Sequence, residues 1–172
     1  LGITEYMAKK TLSNNFAMLI FNKNLSVSPI TTHVPLKNVS KLINKKKIIN
    51  NVHLIKRFYK KYLKKDASIA ITGLNPHCES NYLNSEEDKI IKPAINQLKK
   101  IYNKVSGPYP ADSIFMKNNI QKFDVIVGMY HDQVLTPLKS IYNFDAINIT
   151  LGLPFIRISP DHGPNNKMIK KK

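Results

Sequence analysis

The sequence predicts an α/β domain with a largely parallel sheet flanked by helices, and two observations lead to this prediction. Short apolar runs alternate along the chain with longer segments in which apolar residues recur every three or four positions. The run FDVIVGMY, residues 123–130, is apolar almost throughout, as expected of a strand buried on both faces. Because such sheets bind ligands beyond the carboxyl ends of their strands, the residues that follow each run are the first candidates for a site.

The amino-terminal half of the chain is predicted to contain three strands and two helices. A polar turn separates the first two strands, and lysines occupy the outer face of the longer helix. The predicted elements are strands over residues 16–21, 25–30 and 67–74, a helix over 35–43, and an amphipathic helix whose apolar positions are 48, 52, 55, 59 and 63.

The carboxyl-terminal half begins with a predicted helix and ends with turn signals. Ser85 is a good N-cap for a helix that ends near Tyr102, and Pro93 should kink or split that helix. Residues 107–115 are rich in turn formers, and the strand over 123–130 follows them. The chain has no internal repeat and no long polar linker, so we expect residues 1–172 to form one α/β region.

Composition limits the classes of function. A chain of 172 residues with 42% hydrophobic residues is long and apolar enough to bury a core, which excludes a wholly disordered protein. The formal charge is +16, but only two of the 27 basic residues are arginine, the better reader of base edges. We therefore expect solvated surface lysines and no nucleic-acid partner, with a basic nucleic-acid-binding domain as the alternative reading.

The number of cysteines and the length of the apolar runs predict the cellular compartment of the protein. Cys78 is the single cysteine, so no disulfide can form within the chain, and the reducing cytoplasm is the expected compartment. No apolar run reaches the 18 to 20 residues or so that a membrane helix needs, and residues 1–10 lack the pattern of a signal peptide. We expect no membrane association.

Three histidines share one sequence context. His33, His77 and His131 each follow a predicted strand, at the end where α/β proteins place their sites. Neutral imidazoles suit a divalent transition metal, and the alternative is that these are loop histidines with local hydrogen bonds. The other two differ, because His53 falls in the lysine-rich helix and His162 lies in the turn SPDHGP, where it could approach a cofactor.

Several motifs then carry a resemblance to a known family. They are GITEYMA at 2–8, TTHVPL at 31–36, LNPHCE at 74–79, GPYPADSIF at 107–115, MYHDQ at 129–133 and NITLGLPFIRISPDHG at 148–163. In order and over nearly the whole chain, they resemble 4-hydroxythreonine-4-phosphate dehydrogenases of vitamin B6 biosynthesis. The resemblance implies a two-domain, dimeric α/β enzyme related in fold to isocitrate and isopropylmalate dehydrogenases and about twice this length. Residues 1–172 would be one incomplete catalytic region of it, without the amino-terminal part and a short carboxyl-terminal piece.

The resemblance also implies a reaction and a set of ligands. The family oxidises the 3-hydroxyl of 4-phosphooxy-L-threonine with NAD or NADP, and loss of carbon dioxide then gives 3-amino-2-oxopropyl phosphate. One divalent cation, zinc, magnesium, manganese or cobalt, takes part. Matched to the family's motifs, the metal ligands are His33, His77 and His131, and the substrate-binding residues are Thr4, Lys139, Asn148 and Arg157.

Each substrate position also has a simpler structural reading. Thr4 could cap a helix, Asn148 could end a strand, and Lys139 could be a surface lysine. Arg157 is different, because a charge in the apolar stretch LPFIRIS is costly without a partner.

Two positions depart from the family's pattern. Ile3 stands where the family has a substrate-contacting histidine, which keeps open a sister dehydrogenase for another phosphorylated four-carbon hydroxy acid. His162 and Gly163 are candidate nucleotide contacts by analogy with the related dehydrogenases, but Pro164 follows them in place of the family's usual turn. The chain has no GxGxxG motif, as expected if the nucleotide is held outside a Rossmann domain. A non-catalytic remnant is the remaining alternative, and we expect little or no turnover from this chain by itself.

Overall fold

The structure is a computed structural model that describes residues 3–78 and 84–161. Its α-helices are α1 Ile3–Lys10, α2 Val39–Leu42, α3 Lys45–Tyr62, α4 Lys92–Lys99, α5 Ala111–Ile114, α6 Lys117–Ile120 and α7 His131–Tyr142. Its strands are β1 Ala17–Phe21, β2 Ser26–Thr31, β3 Ile69–Thr72, β4 Val105–Tyr109, β5 Val125–Tyr130, β6 Ile147–Leu151 and β7 Arg157–Pro160. Short 3-10 turns span Leu36–Asn38 and Pro76–Cys78, and a π-helical turn spans Glu87–Ile91.

All the described strands form one sheet with the order β4-β3-β5-β2-β1-β6-β7. The four strands β4, β3, β5 and β2 are parallel to one another. On the other side, β1 is antiparallel to β2 and β6, and β7 is antiparallel to β6. The predicted α/β class with helices flanking a parallel core is confirmed, and the complete sheet is mixed.

Alternation along the strands separates two apolar layers. Leu19, Ile71 and Val127 face α3 and α4, whereas Met18 and Ile126 face α5, α6 and α7. Four of the five predicted apolar positions of the long helix are buried in the first layer, namely Ile48, Val52, Ile55 and Tyr59. The fifth, Leu63, lies past the end of α3 and is exposed. Asn44 caps this helix, since its side-chain oxygen accepts a hydrogen bond from the Lys47 amide at 2.9 Å.

The helix predicted from Ser85 is present and ends at Lys99, and its hydrogen-bonding pattern changes from π to α just before Pro93 while the backbone stays helical. Ser85 Oγ accepts a hydrogen bond from the Asp88 amide at 3.3 Å, as an N-cap does. The chain follows a π-helical turn over Glu87–Ile91 and enters α4 at Lys92. Proline lacks an amide proton and is best tolerated in the first turn of a helix, which is where Pro93 lies in α4.

Residues 107–115, predicted to be a turn-rich stretch, instead contain the end of β4, which extends to Tyr109, and the short helix α5. This strand lies at the edge of the sheet and pairs with β3 alone. An edge strand has one row of amides and carbonyls without a strand partner, and the ladder with β3 is irregular between Ser106 and Tyr109, which is why Gly107 and Pro108 fit here despite their low strand propensity.

The parallel core places the ends of β2, β3 and β5 at the same edge of the sheet, here called the carboxyl edge. His33 follows β2, His77 follows β3, and His131 follows β5 as the first residue of α7. Among the described residues, no helix is both long enough and apolar enough to cross a membrane.

Candidate active site

His33 and His131 come together at the carboxyl edge of the sheet. Thr31 pairs with Tyr130 across β2 and β5, so the two chains leave the sheet side by side. The imidazole ring centroids of His33 and His131 lie 5.8 Å apart with the ring planes tilted by 43°. Two imidazoles bound to one zinc ion by bonds of about 2.1 Å have centroids about 5 to 6 Å apart, so the spacing of this pair fits a shared divalent cation.

A neighbouring carboxylate orients the His131 ring. The Nδ1 atom of His131 lies 2.6 Å from Oδ1 of Asp132, and the side chain of His131 is about one-third exposed. A carboxylate on one ring nitrogen selects the tautomer in which the other nitrogen is the metal ligand. The pair His131–Asp132 therefore leaves Nε2 as the nitrogen suited to a cation.

His77 lies at the same edge, on the loop after β3, in an unusual backbone conformation. Its φ is +59°, and φ of the adjacent Cys78 is +56°. Non-glycine residues rarely adopt this left-handed conformation, and when they do they are frequently found at functional sites. The side chain is exposed. Across residues 3–78 and 84–161, however, no three His, Cys, Asp or Glu side chains form a cluster ready to hold a metal ion.

Arg157 and Asn148 lie on the two strands that complete the opposite side of the sheet. Arg157 begins β7 opposite Thr150 of β6, and its Nη1 donates to Thr150 Oγ1 at 3.4 Å. Asn148 lies two residues before Thr150, and its buried Oδ1 has no hydrogen-bond partner. Arg157 is half-buried, so its guanidinium is within reach of a ligand.

Lys139 points its ammonium group towards a buried carboxylate. Its Nζ lies 3.3 Å from Oδ1 of Asp161 and 5.2 Å from the centroid of the Phe144 ring. Asp161 is only 7% exposed, and its other oxygen, Oδ2, has no partner. The sequence analysis missed Asp161, although it adjoins His162 in the motif SPDHGP, which could have indicated it.

These substrate candidates share one face of the sheet. Thr150 pairs with Met18 and Asn148 with Ile20, and both of these apolar residues belong to the apolar layer that also contains the buried face of α7, the helix that carries Lys139. Asn148, Thr150 and Lys139 therefore lie on the α7 face of the sheet. Arg157 lies at the carboxyl edge with the histidines, whereas Lys139 lies two turns further along α7.

The side chain of one predicted site residue and the whole of two others are outside what the structure describes. Thr4 belongs to α1, but its side chain is not described. His162 and Gly163 lie outside the described residues, so their assignment to the nucleotide remains a prediction.

Two cavities adjoin this part of the molecule. A cavity of about 380 Å³ opens beside His33 and is lined by Asn15, Asn50 and Lys47. A larger cavity of about 720 Å³ lies between α3 and the loop from β6 to β7, and none of the predicted metal ligands lines it. The chemistry indicated by the histidines favours the smaller cavity as part of the site.

The chain resembles known proteins over nearly all of its own length. A 4-hydroxythreonine-4-phosphate dehydrogenase from Sulfurihydrogenibium sp. (strain YO3AOP1) is 46% identical over 94% of this chain and 50% of the relative. A D-threonate 4-phosphate dehydrogenase from Pectobacterium atrosepticum is 37% identical over the same shares.

The fold has a close counterpart among solved structures. A crystal structure of 4-hydroxythreonine-4-phosphate dehydrogenase from Klebsiella pneumoniae matches 94% of this chain and 50% of that chain, with 37% identity and a TM-score of 0.82. The chain spans about half the length of the relatives it matches. Residues 1–171 match the family described as pyridoxal phosphate biosynthetic protein PdxA. The chain therefore belongs to the PdxA family, as the resemblance of its motifs had predicted.

Proposed function

We propose that this chain provides part of the active site of an NAD(P)- and metal-dependent dehydrogenase that oxidises and decarboxylates 4-phosphooxy-L-threonine in vitamin B6 biosynthesis. The observation that carries the proposal is the approach of His33 and His131 at the carboxyl edge of a PdxA-family sheet. The relative from Sulfurihydrogenibium supports the choice of substrate.

His33, His77 and His131 are the residues that would hold the cation. The pair His33–His131 has the right ring spacing, and Asp132 orients one of its rings. The bound cation would polarise the substrate hydroxyl and stabilise the negative charge that develops as carbon dioxide leaves. All-imidazole ligation favours zinc or cobalt over magnesium.

The chain's cationic side chains would bind and orient the substrate. Arg157 can bind an oxyanion through two donors, and Lys139 adds a second positive charge on the same face of the sheet. The unpartnered oxygens of Asn148 and Asp161 are acceptors, so they suit the ammonium or hydroxyl protons of a hydroxy amino acid. Thr4 is assigned to the substrate, and His162 and Gly163 to the nucleotide, by their match to the family's motifs.

We also propose a cytoplasmic homodimer for the complete protein, as the family resemblance implies. Among the described residues, no third metal ligand clusters with His33 and His131. Assembly of the complete enzyme would bring a third ligand into position. Light scattering of the complete protein at micromolar concentration tests this, and a monomer alone would contradict it.

A second substrate has a specific observation in its favour. Ile3 replaces the histidine of the family's opening motif, and because its side chain is aliphatic it offers no proton and no charge to a phosphate. The relative from Pectobacterium is a D-threonate 4-phosphate dehydrogenase. This substrate differs from the first by a hydroxyl in place of the amine.

Ligand binding in the presence of Mn²⁺ tests the proposal and separates the two substrates. We expect calorimetric titration of the chain with 4-phosphooxy-L-threonine to show metal-dependent binding that is tighter than binding of D-threonate 4-phosphate. The reverse order would assign the chain to the second substrate. Binding of neither compound would contradict both.

A further inference from the structure

The buried side-chain amide of Gln133 lies where β3 and β5 end, close to the segments that carry His77 and His131. Gln133 is in the first turn of α7, two residues after His131, and is only 9% exposed. Its Oε1 accepts hydrogen bonds from the Met129 amide at 2.6 Å and the Thr72 hydroxyl at 3.0 Å. Its Nε2 donates to the Gly73 carbonyl at 2.8 Å. One side chain thus connects the end of β5, the end of β3 and the start of α7.

These contacts hold together the two segments that carry His77 and His131. Glutamine is usually exposed in proteins, and a buried amide with three partners is costly to remove because each partner loses its bond. Gly73 lies four residues before His77, and Met129 lies two residues before His131. The β3–β5 ladder ends at the pair Ile71–Val127, and beyond it the hydrogen bonds of Gln133 continue to tie the two histidine-bearing segments together.

Glu87 anchors the His77 loop from the other side. Its Oε1 accepts from the amides of Leu74 and Asn75, both at 2.8 Å, and its Oε2 accepts from Nδ2 of Asn75 at 2.8 Å. The carboxylate is fully buried. Burial raises the pKa of Glu87, but the hydrogen bonds from Asn75 and Leu74 outweigh it, so the pKa lies below its usual value and the group is ionised.

Two glycines show how closely these groups pack. A Cβ atom at Gly128 of β5 would lie 2.3 Å from Val134 Cγ1 and 3.0 Å from Gln133 Oε1. A Cβ atom at Gly73 would lie 3.1 Å from Glu87 Oε1. Only glycine allows the first turn of α7 and the π-helical turn to approach the strand ends this closely.

We propose that Gln133 is a positioning residue, with Glu87 as its counterpart, that holds His77 in place relative to His131 for binding of the divalent cation. The inference rests on the proposed function, because it assigns a role to residues behind the metal ligands. Neither side chain touches the cation; both act through the backbone that carries the histidines.

Zinc titration of the 172-residue chain by calorimetry tests this role. In Gln133→Met the side chain keeps its size and loses all three hydrogen bonds, and we expect zinc affinity about tenfold or more weaker than in the parent. The absorption spectrum of the Co²⁺-loaded variant should also shift, since the ligand geometry changes. Tyr59→Phe is the matched control, because it removes a buried hydroxyl bonded to Ser26 at 2.9 Å at the opposite edge of the sheet. Its zinc affinity should stay within about twofold of the parent.

The outcomes separate the positioning role from the metal site. Zinc binding by Gln133→Met at the parent's affinity would overturn the inference and leave the metal site intact. A parent chain that binds no zinc would overturn both. If Gln133→Met does not fold, Glu87→Gln carries the same test, because it removes the charge that anchors Leu74 and Asn75; weakened zinc binding supports the inference and unchanged binding overturns it.

Discussion

The parallel strands β2, β3 and β5 differ from the flanking strands β6 and β7 in burial and in polar contacts. All four residues of β3 and the first five of β5 are buried, whereas β7 alternates between half-buried and exposed residues. The reason is position, since β3 and β5 have a strand on each side and helices on both faces, while β7 is an edge. The histidines follow the more deeply buried strands, and Asn148 and Arg157 lie on the more exposed strands.

The two regions also differ in whether their buried polar side chains have hydrogen-bond partners. In the parallel region, Gln133 and Glu87 make three hydrogen bonds each. In the part of the chain that the structure describes, the buried side-chain atoms without a partner are Asn148 Oδ1 and Asp161 Oδ2, both on or beside the flank. Leaving buried acceptors unpartnered costs about 1 to 3 kcal/mol each, a cost that a substrate's donors would remove. The parallel region thus satisfies the buried polar groups of Gln133 and Glu87, whereas the flank leaves two buried acceptors without a partner in the described part of the chain.

The largest expected effect compares one isoleucine from each region. Ile71 of β3 is fully buried, and Ile71→Ala should lower the free energy of unfolding by about 2 to 5 kcal/mol through lost burial and the cavity left behind. Ile158 of β7 is 55% exposed, and Ile158→Ala should change it by less than about 0.5 kcal/mol. Urea denaturation measures both values. Equal losses would show that the two regions are equally well packed.

The next prediction concerns Tyr59, whose hydroxyl bonds Ser26 at the amino edge of the parallel region. Burial raises the pKa of Tyr59 to about 12 from its ordinary value of 10.0, outweighing the hydrogen bond from Ser26 that lowers it. Because the folded pKa is the higher one, the stabilising contribution is complete below pH 10 and is lost as the pH rises to about 12. A shift of two pKa units corresponds to about 2 to 3 kcal/mol.

Tyr59→Phe removes this titration and gives the measurement. The parent should lose stability relative to Tyr59→Phe between about pH 10 and 12, as followed by denaturation at a series of pH values. Parallel pH profiles for the two proteins would show that the hydroxyl titrates as freely in the folded chain as in the unfolded one.

The smallest effect compares the two arginines. Arg157→Ala should weaken binding of 4-phosphooxy-L-threonine about tenfold to a hundredfold, or about 1.5 to 3 kcal/mol, with little change in Tm. Arg57→Ala is the control, because Arg57 is exposed on α3 and should leave binding unchanged. Calorimetry gives the affinities. A lower Tm with unchanged affinity for Arg157→Ala would make Arg157 a structural partner of Thr150.

The same division explains which features the sequence could predict. The strands over 16–21, 25–30, 67–74 and 123–130 are predictable because buried strands have apolar or alternating runs, and the histidines are predictable as site residues because three of them follow such runs. β4 was missed because an edge strand with Gly107 and Pro108 has the composition of a turn. The sequence could not show that Asp161 approaches Lys139, because that contact depends on how β7 and α7 pack.

Zinc or manganese titration of the parent chain, His131→Ala and His53→Ala tests the central claim most directly. His53 is the control, since it lies on α3 and its Nδ1 is 2.7 Å from the Tyr102 hydroxyl, away from the carboxyl edge. We predict that the parent and His53→Ala each bind one equivalent of cation and that His131→Ala binds none. Equal binding by all three proteins would place the cation elsewhere and contradict the metal site.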